Sequence, residues 1–167
     1  MYFETGQFVT DLRVSGAEFL LGFLLAIAIG IPFGLLMGWY KKINGLLDPL
    51  ITFLYASPRI ALMPILIIWF GIGIGSKVAI IFLGAVFPII INTLIGIRTI
   101  DPLLLNVARS HKANDYQIFT TIVLPSAVPA ILTGIRLGLG HALIGIVVGE
   151  MTAATSGIGF RMTQAGA

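Results

Sequence analysis

The chain has 167 residues, 57% of them hydrophobic and 10% charged, with a mean hydropathy of +1.04. A soluble domain carries about 25% charged residues, so this composition excludes a water-covered globule and places the chain in a bilayer. The net charge of +3 comes from basic residues scattered at segment ends, which excludes a nucleic-acid surface, and the absence of cysteine excludes disulfides and thiolate metal sites.

Residues 1–17 contain Glu4, Asp11 and Arg13 and no apolar core, so no cleavable signal is expected. The first charge-free window covers residues 19–40, between Glu18 and Lys41. It carries Gly30, Gly34 and Gly38 at four-residue steps, a pattern for close helix packing, with Pro32 as a candidate kink. A shorter apolar piece, residues 46–56, is interrupted at Pro49 and Pro58. The second span is expected over residues 60–76, between Arg59 and Lys77, with Trp69 and Phe70 as interfacial aromatics near its edge. Gly71, Gly73 and Gly75 at its end lack the Gly-Lys-Ser/Thr ending of a phosphate loop, so no nucleotide site or other cofactor is expected in the chain itself. The third span covers residues 78–97 and ends at Arg98. The fourth starts near Pro125 and reaches Gly149, and the segment after Glu150 reads as a loop. The length accommodates about four to five spans of roughly 20 residues. The expected fold is therefore an all-α polytopic bundle forming a single transmembrane domain, 1–167.

Residues 101–125 are a polar island between the third and fourth spans. Asp101 can cap a helix whose first position is Pro102. No breaker follows until a turn expected near residues 112–114. Asn114, with Gln117 three residues on, fits a capping box. Pro125 removes an N–H donor and restricts Leu124, which marks the next boundary. An ordinary interfacial loop is the alternative. Lys41 and Lys42, with Arg98, Arg109 and Lys112 of the island end, outnumber Arg13, Lys77 and Arg161 by five to three. The positive-inside rule then makes the island cytoplasmic.

Three ionisable residues fall in or near the fourth span: Arg136, His141 and Glu150. Such groups are costly in lipid and face protein or water. Gly134, Gly138, His141, Gly145 and Gly149 recur at helical steps and share one face, which suits close packing; Arg136 and Glu150 fall opposite. The Arg136/Glu150 face is a candidate pathway or cytoplasmic gate. The plainer readings are a structural tie for Arg136, a periplasmic surface position for Glu150 and a packed helix contact for His141. No His/Asp/Glu cluster has metal spacing, and no nucleophile–base pair is evident.

The island also resembles the cytoplasmic signature of permease subunits of binding-protein-dependent ABC importers. That signature runs Glu-Ala-Ala, three residues, Gly, then about nine residues to Ile-x-Leu-Pro. The matching residues are Asn106-Val107-Ala108, Lys112 at the glycine position, and Ile122-Val123-Leu124-Pro125, followed by Pro129 and Thr133-Gly134-Ile135-Arg136. A second block, Pro58-Arg59-Ile60-Ala61-Leu62-Met63-Pro64 with Trp69-Phe70-Gly71-Ile72-Gly73 and Ser76-Lys77, resembles the subfamily importing nitrate, taurine and sulfonates. Gly30-Ile31-Pro32-Phe33-Gly34, Glu150 and Ser156-Gly157-Ile158-Gly159 fit as well, so the likeness covers nearly the whole chain in order.

The resemblance implies the type I importer permease fold, shortened at both ends relative to the usual pattern. It implies a homodimer in the membrane, served by two ABC ATPase subunits that bind the ATP and by an extracytoplasmic solute-binding protein, in a bacterial inner membrane. The ATPase-coupling residues would be Asn106, Val107, Ala108, Arg109, Lys112, Ala113, Leu124 and Pro125. Ala108 keeps the small side chain that close docking needs. Asn106 replaces the usual Glu, and Lys112 the usual Gly; a positive φ there would strain Lys. The rival readings are an ATPase-independent channel or secondary transporter and an inactive, shortened permease.

Overall fold

The computed structural model describes residues 7–153 and 159. Among these residues all regular structure is helical: α1 (Gln7–Trp39), α2 (Lys41–Ala56), a 3₁₀ turn (Arg59–Leu62), α3 (Met63–Phe70), α4 (Ile74–Arg98), α5 (Pro102–Ser110), α6 (Asp115–Ile118), a π-helical turn (Phe119–Val123) and α7 (Leu124–Ala153). Among the described residues three stretches are long and apolar enough to cross a membrane: Val9–Trp39, Ile74–Arg98 and Asp115–Thr152. At 25 residues, α4 is roughly 37 Å long, against about 30 Å of hydrocarbon.

α4 is the most buried of the three, and glycines bring the other two onto it. A Cβ at Gly22, Gly30, Gly34 or Gly38 of α1 would lie within 3 Å of Ile81, Ile89, Thr93 and Ile97 respectively. Because both sets of residues rise together, α1 and α4 run parallel. Along α7 the order reverses. Gly134 abuts Asn92 and Ile89, Gly138 abuts Ala85, Gly145 abuts Ile80 and Ile81, and Gly149 abuts Ile80 and Lys77. α7 is therefore antiparallel to α4. Ala26, Ile80, Ile81, Ala85, Ile89 and Ala142 are fully or almost fully buried in the resulting core.

The parallel pair forces the chain to return between Trp39 and Ile74, and it does so in two pieces. α2 (16 residues) and α3 (8 residues) measure roughly 24 and 12 Å, so neither crosses about 30 Å alone. Tyr55 at the end of α2 reaches Phe87 halfway along α4, with ring centroids 6.5 Å apart. Met63 at the start of α3 lies beside Gly149.

This corrects the expected second span at residues 60–76. The break comes at Ser57, which is extended (φ −67°, ψ 140°) as the residue before Pro58 must be. Gly71 (φ +77°) and Gly73 (φ +141°) then end α3, so Ser76 belongs to α4. Pro49 does not interrupt α2, and α1 continues through Pro32.

Pro125 does not end a helix either. The π turn passes directly into α7, with the Leu124 N–H donating to Phe119 O five residues back. The register thus changes just before the ring that supplies no N–H. α7 also continues past Glu150 to Ala153, where a loop was expected; Ser156, Gly157 and Ile158 lie outside the described residues.

Candidate functional site

The island folds as two capped helices joined by a tight turn. The Leu103 N–H donates to Asp101 Oδ1 at 2.8 Å, with Pro102 at the first helical position. At the other end the Ala113 N–H donates to Ala108 O (3.1 Å) and the Lys112 N–H to Arg109 O (2.9 Å). These are the two bonds of a Schellman motif, with Lys112 at the left-handed position, φ +58°. Among the described residues Lys112 alone has a positive φ without being glycine. The chain restarts through a reciprocal capping box: Gln117 N–H to Asn114 Oδ1 (2.8 Å) and Asn114 N–H to Gln117 Oε1 (2.9 Å).

α5 buries none of its residues fully. Leu105 and Ala108 lean inward with Ala113, onto the cluster of Ile97, Ile100 and Ile118. Leu103, Leu104 and Val107 face outward, three and four residues apart, as an exposed apolar triad. Asn106, Arg109, Ser110, His111 and Lys112 are exposed around it. Of the eight residues assigned to coupling, Asn106, Val107, Arg109 and Lys112 are thus exposed on this surface, and Ala108 and Ala113 are half-buried behind it. Leu124 and Pro125 lie apart, at the start of α7.

Sequence reasoning missed the neighbouring groove. Leu35, Leu36, Trp39, Tyr40, Asp115, Tyr116 and Phe119 line an open pocket of about 300 Å³. Trp39 and Phe119 meet edge to face, with centroids 5.5 Å apart. The end of α1 and the start of the π turn are distant in sequence, so no local pattern announces this groove. Lys41, Lys42, Arg98, Arg109 and Lys112 are all exposed and all belong to this end of the bundle.

Inside the bundle, Arg136 and Glu150 do not form one surface. Glu150 is buried, accepting bonds from the Ser15 hydroxyl and from the Gly159 N–H, the latter at 2.7 Å. Arg136 is exposed. The reason is tertiary: Ser15 of α1 and Gly159 engage the Glu150 carboxylate, whereas Arg136 is exposed on a turn whose Gly134 and Ile135 face the bundle. Gly134, Gly138, Gly145 and Gly149 all face α4. His141 is half-buried, with Nδ1 2.9 Å from Leu137 O. A carbonyl only accepts, so Nδ1 carries the proton and donates. His141 also lines an opening of about 300 Å³ at the α2–α3 break, with Tyr55, Ser57 and Pro58.

A further buried pair had read only as span-end markers. Glu18 of α1 and Lys77 of α4 form an ion pair with almost no exposure. Helix α1 begins a full three turns before Glu18, which carries that residue into the packed interface. With Ser15–Glu150, it ties α1, α4 and α7 together at the end opposite the island.

The family model of the binding-protein-dependent transport system inner membrane component matches residues 30–167. An ABC transporter permease protein of Brucella melitensis is 40% identical over 160 residues, covering 96% of this chain and 65% of that protein. A Bacillus subtilis protein bearing the name aliphatic sulfonates transport permease protein SsuC is 40% identical over 96% of this chain and 58% of its own length. The taurine transport system permease protein TauC of Escherichia coli is 37% identical over 93% and 56%. The chain spans less than two thirds of the length of these curated relatives.

Proposed function

Since this chain belongs to the family of binding-protein-dependent transport system inner membrane components, we propose that it is the membrane-spanning permease subunit of an ATP-driven importer. The observation that carries this reading is the α5 surface. It is a short helix fixed at both ends by capping, bearing the exposed triad Leu103, Leu104 and Val107 at the end rich in exposed cations. A rigid helix with an apolar face is what a groove on a soluble partner can grip and push.

In this reading two copies of the chain pair in the membrane. Each presents α5, with Asn106, Arg109 and Lys112 around the triad, to an ABC ATPase subunit on the cytoplasmic side. The ATPase subunits bind ATP. An extracytoplasmic solute-binding protein delivers the solute at the opposite end, in a bacterial inner membrane. Closure of the ATPase pair moves α5. The movement passes through Leu105, Ala108 and Ala113 into the cluster of Ile97, Ile118 and Val123, and so to α4 and α7. The solute is a small anion of the sulfonate, taurine or nitrate kind. Support comes from the names of two relatives, for sulfonates and taurine, and from Arg136. Arg136 lines the pathway, and His141 lines the separate opening at the α2–α3 break. Glu150, tied to Ser15 at the end opposite the island, lies at the extracytoplasmic end of the pathway and not at a cytoplasmic gate.

The test is ATPase capture. Val107 is exposed, so Val107→Glu leaves the bundle intact while placing a charge on the docking face. The tagged variant should insert in the membrane as the parent does but no longer co-purify its co-expressed ATPase subunit. Undiminished capture would sink the docking assignment.

A further inference from the structure

The groove of about 300 Å³ between the end of α1 and α6 is lined by no residue of α5, so it lies apart from the docking surface. Its α1 wall is ordered by depth. Leu35 and Leu36 belong to the last turns of the α1 span, Trp39 ends that span, and Tyr40 follows. Lys41 and Lys42, both exposed, come next and open α2. Over a few residues the chain offers aliphatic groups, then amphipathic rings of the kind that sit at a membrane interface, then two ammonium groups that reach water. A phospholipid has the same order: acyl chain, glycerol ester, phosphate.

The groove is also continuous with a lipid-facing surface. Ile29, Phe33, Leu36 and Tyr40 recur at steps of four, three and four, so they form one stripe, and all four are exposed. The stripe carries no polar group before the Tyr40 hydroxyl, and its last two members line the groove. An acyl chain lying along this face of α1 is thus led to Phe119, which meets Trp39 edge to face. The volume is at the lower end of the range for small-molecule pockets, about 300–1,000 Å³. It holds a segment of one acyl chain, which leaves the headgroup at the rim.

The rim selects the headgroup. Asp115 lines the groove and is exposed. Two lysines and one aspartate leave a single positive charge, which balances a lipid with a single negative charge. A headgroup bearing hydroxyls beyond its phosphate also gives the Asp115 carboxylate a donor, whereas a second phosphate would be repelled by it.

We propose that this groove binds a phospholipid of the phosphatidylglycerol kind. One acyl chain lies against Leu36, Trp39 and Phe119, the phosphate is held by Lys41 and Lys42, and the glycerol hydroxyls turn to Asp115. The lipid bridges the end of α1 and the start of α6, and so braces the segment that carries α5. The site requires only that the chain spans a bilayer, and it is independent of the transport reading.

The chain has two tryptophans: Trp39 in the groove and Trp69, exposed on α3. Trp69→Phe leaves Trp39 as the sole indole. With the full chain in phosphatidylcholine nanodiscs, phosphatidylglycerol brominated on its acyl chains should quench Trp39 several-fold more than brominated phosphatidylcholine at the same low mole fraction, and the quenching should saturate. In Trp39→Phe the Trp69 emission should show no such preference. Lys41→Gln/Lys42→Gln should abolish the preference at Trp39, while Arg109→Gln, which removes an exposed cation of α5, should leave it. Equal quenching by the two lipids, or a preference that survives Lys41→Gln/Lys42→Gln, overturns the site. A preference lost equally in Arg109→Gln reports diffuse attraction to a basic surface and overturns it too. Trp39 quenched by neither lipid means that a protein segment fills the groove, which again overturns it. Brominated cardiolipin or phosphatidylethanolamine quenching Trp39 more strongly than phosphatidylglycerol overturns the headgroup assignment.

Discussion

Replacing Lys112 by glycine should tighten the turn that ends α5. Lys112 holds φ +58° at the position after the helix cap, where its amide and that of Ala113 close the two bonds of the Schellman motif. For an L-residue with a Cβ the left-handed region costs about 1–2 kcal/mol, and glycine escapes this. Glycine also loses more freedom on ordering, which takes back about 0.4–1 kcal/mol. The net gain for Lys112→Gly is therefore about 0.5–1 kcal/mol, or roughly two- to five-fold in the local opening equilibrium. Amide hydrogen exchange on the protein in nanodiscs reads this directly. Protection of the Lys112-position and Ala113 amides should rise by about that factor, with no change in the core of α4. Lys112→Ala removes the same charge but keeps the Cβ, so it should give no gain. If alanine protects as well as glycine, or if glycine loosens the turn, backbone strain at this position is not what limits it.

Two further outcomes follow from the packing. Gly34→Ala places a methyl group 2.6 Å from Thr93 Cβ and 2.8 Å from Ile90 O, and should lower stability by about 1–3 kcal/mol. Gly140→Ala, which meets nothing within 4 Å, should be neutral or stabilising by up to about 1 kcal/mol in the detergent-solubilised monomer. Thermal unfolding in detergent compares the two, and equal effects would refute the assignment of Gly34 to the α1–α4 contact. Lys77→Met leaves the Glu18 carboxylate buried without its cation and should destabilise by about 3–5 kcal/mol, whereas the double variant Glu18→Gln/Lys77→Met should recover most of that. A double variant as unstable as the single one would show that the pair is not the unit being broken.

Much of the island was legible because its signals are local. Asp101 before Pro102, Asn114 three residues before Gln117, and a small loop between them specify caps from neighbouring residues alone. The structure has all three. The two glycine stripes were legible for the same reason, since a spacing of four along one helix needs no knowledge of its partner. The family was legible from the order of motifs along nearly the whole chain.

The crossing between α1 and α4 was misread because hydropathy measures apolar length but not backbone continuity. Residues 60–76 look like a span, yet the extended residue before Pro58 and the positive φ values at Gly71 and Gly73 divide the crossing differently. Pro125 was misread in the opposite direction: a π turn before it leads straight into α7, and a register change is invisible to local pattern.

What the sequence determined by itself is the solvent, the helical class, the basic end and the capped segment 101–125, because composition, charge bias and capping act over a few residues. What only the tertiary structure decided is which polar groups are covered. Glu18 and Lys77 are buried in the α1–α4 contact and Glu150 against Ser15 and Gly159, while Arg136 is exposed on a side of α7 that no described residue engages. Periodicity places a residue on a face of its own helix; only the approach of another helix determines whether that face meets protein, lipid or a second copy of the chain.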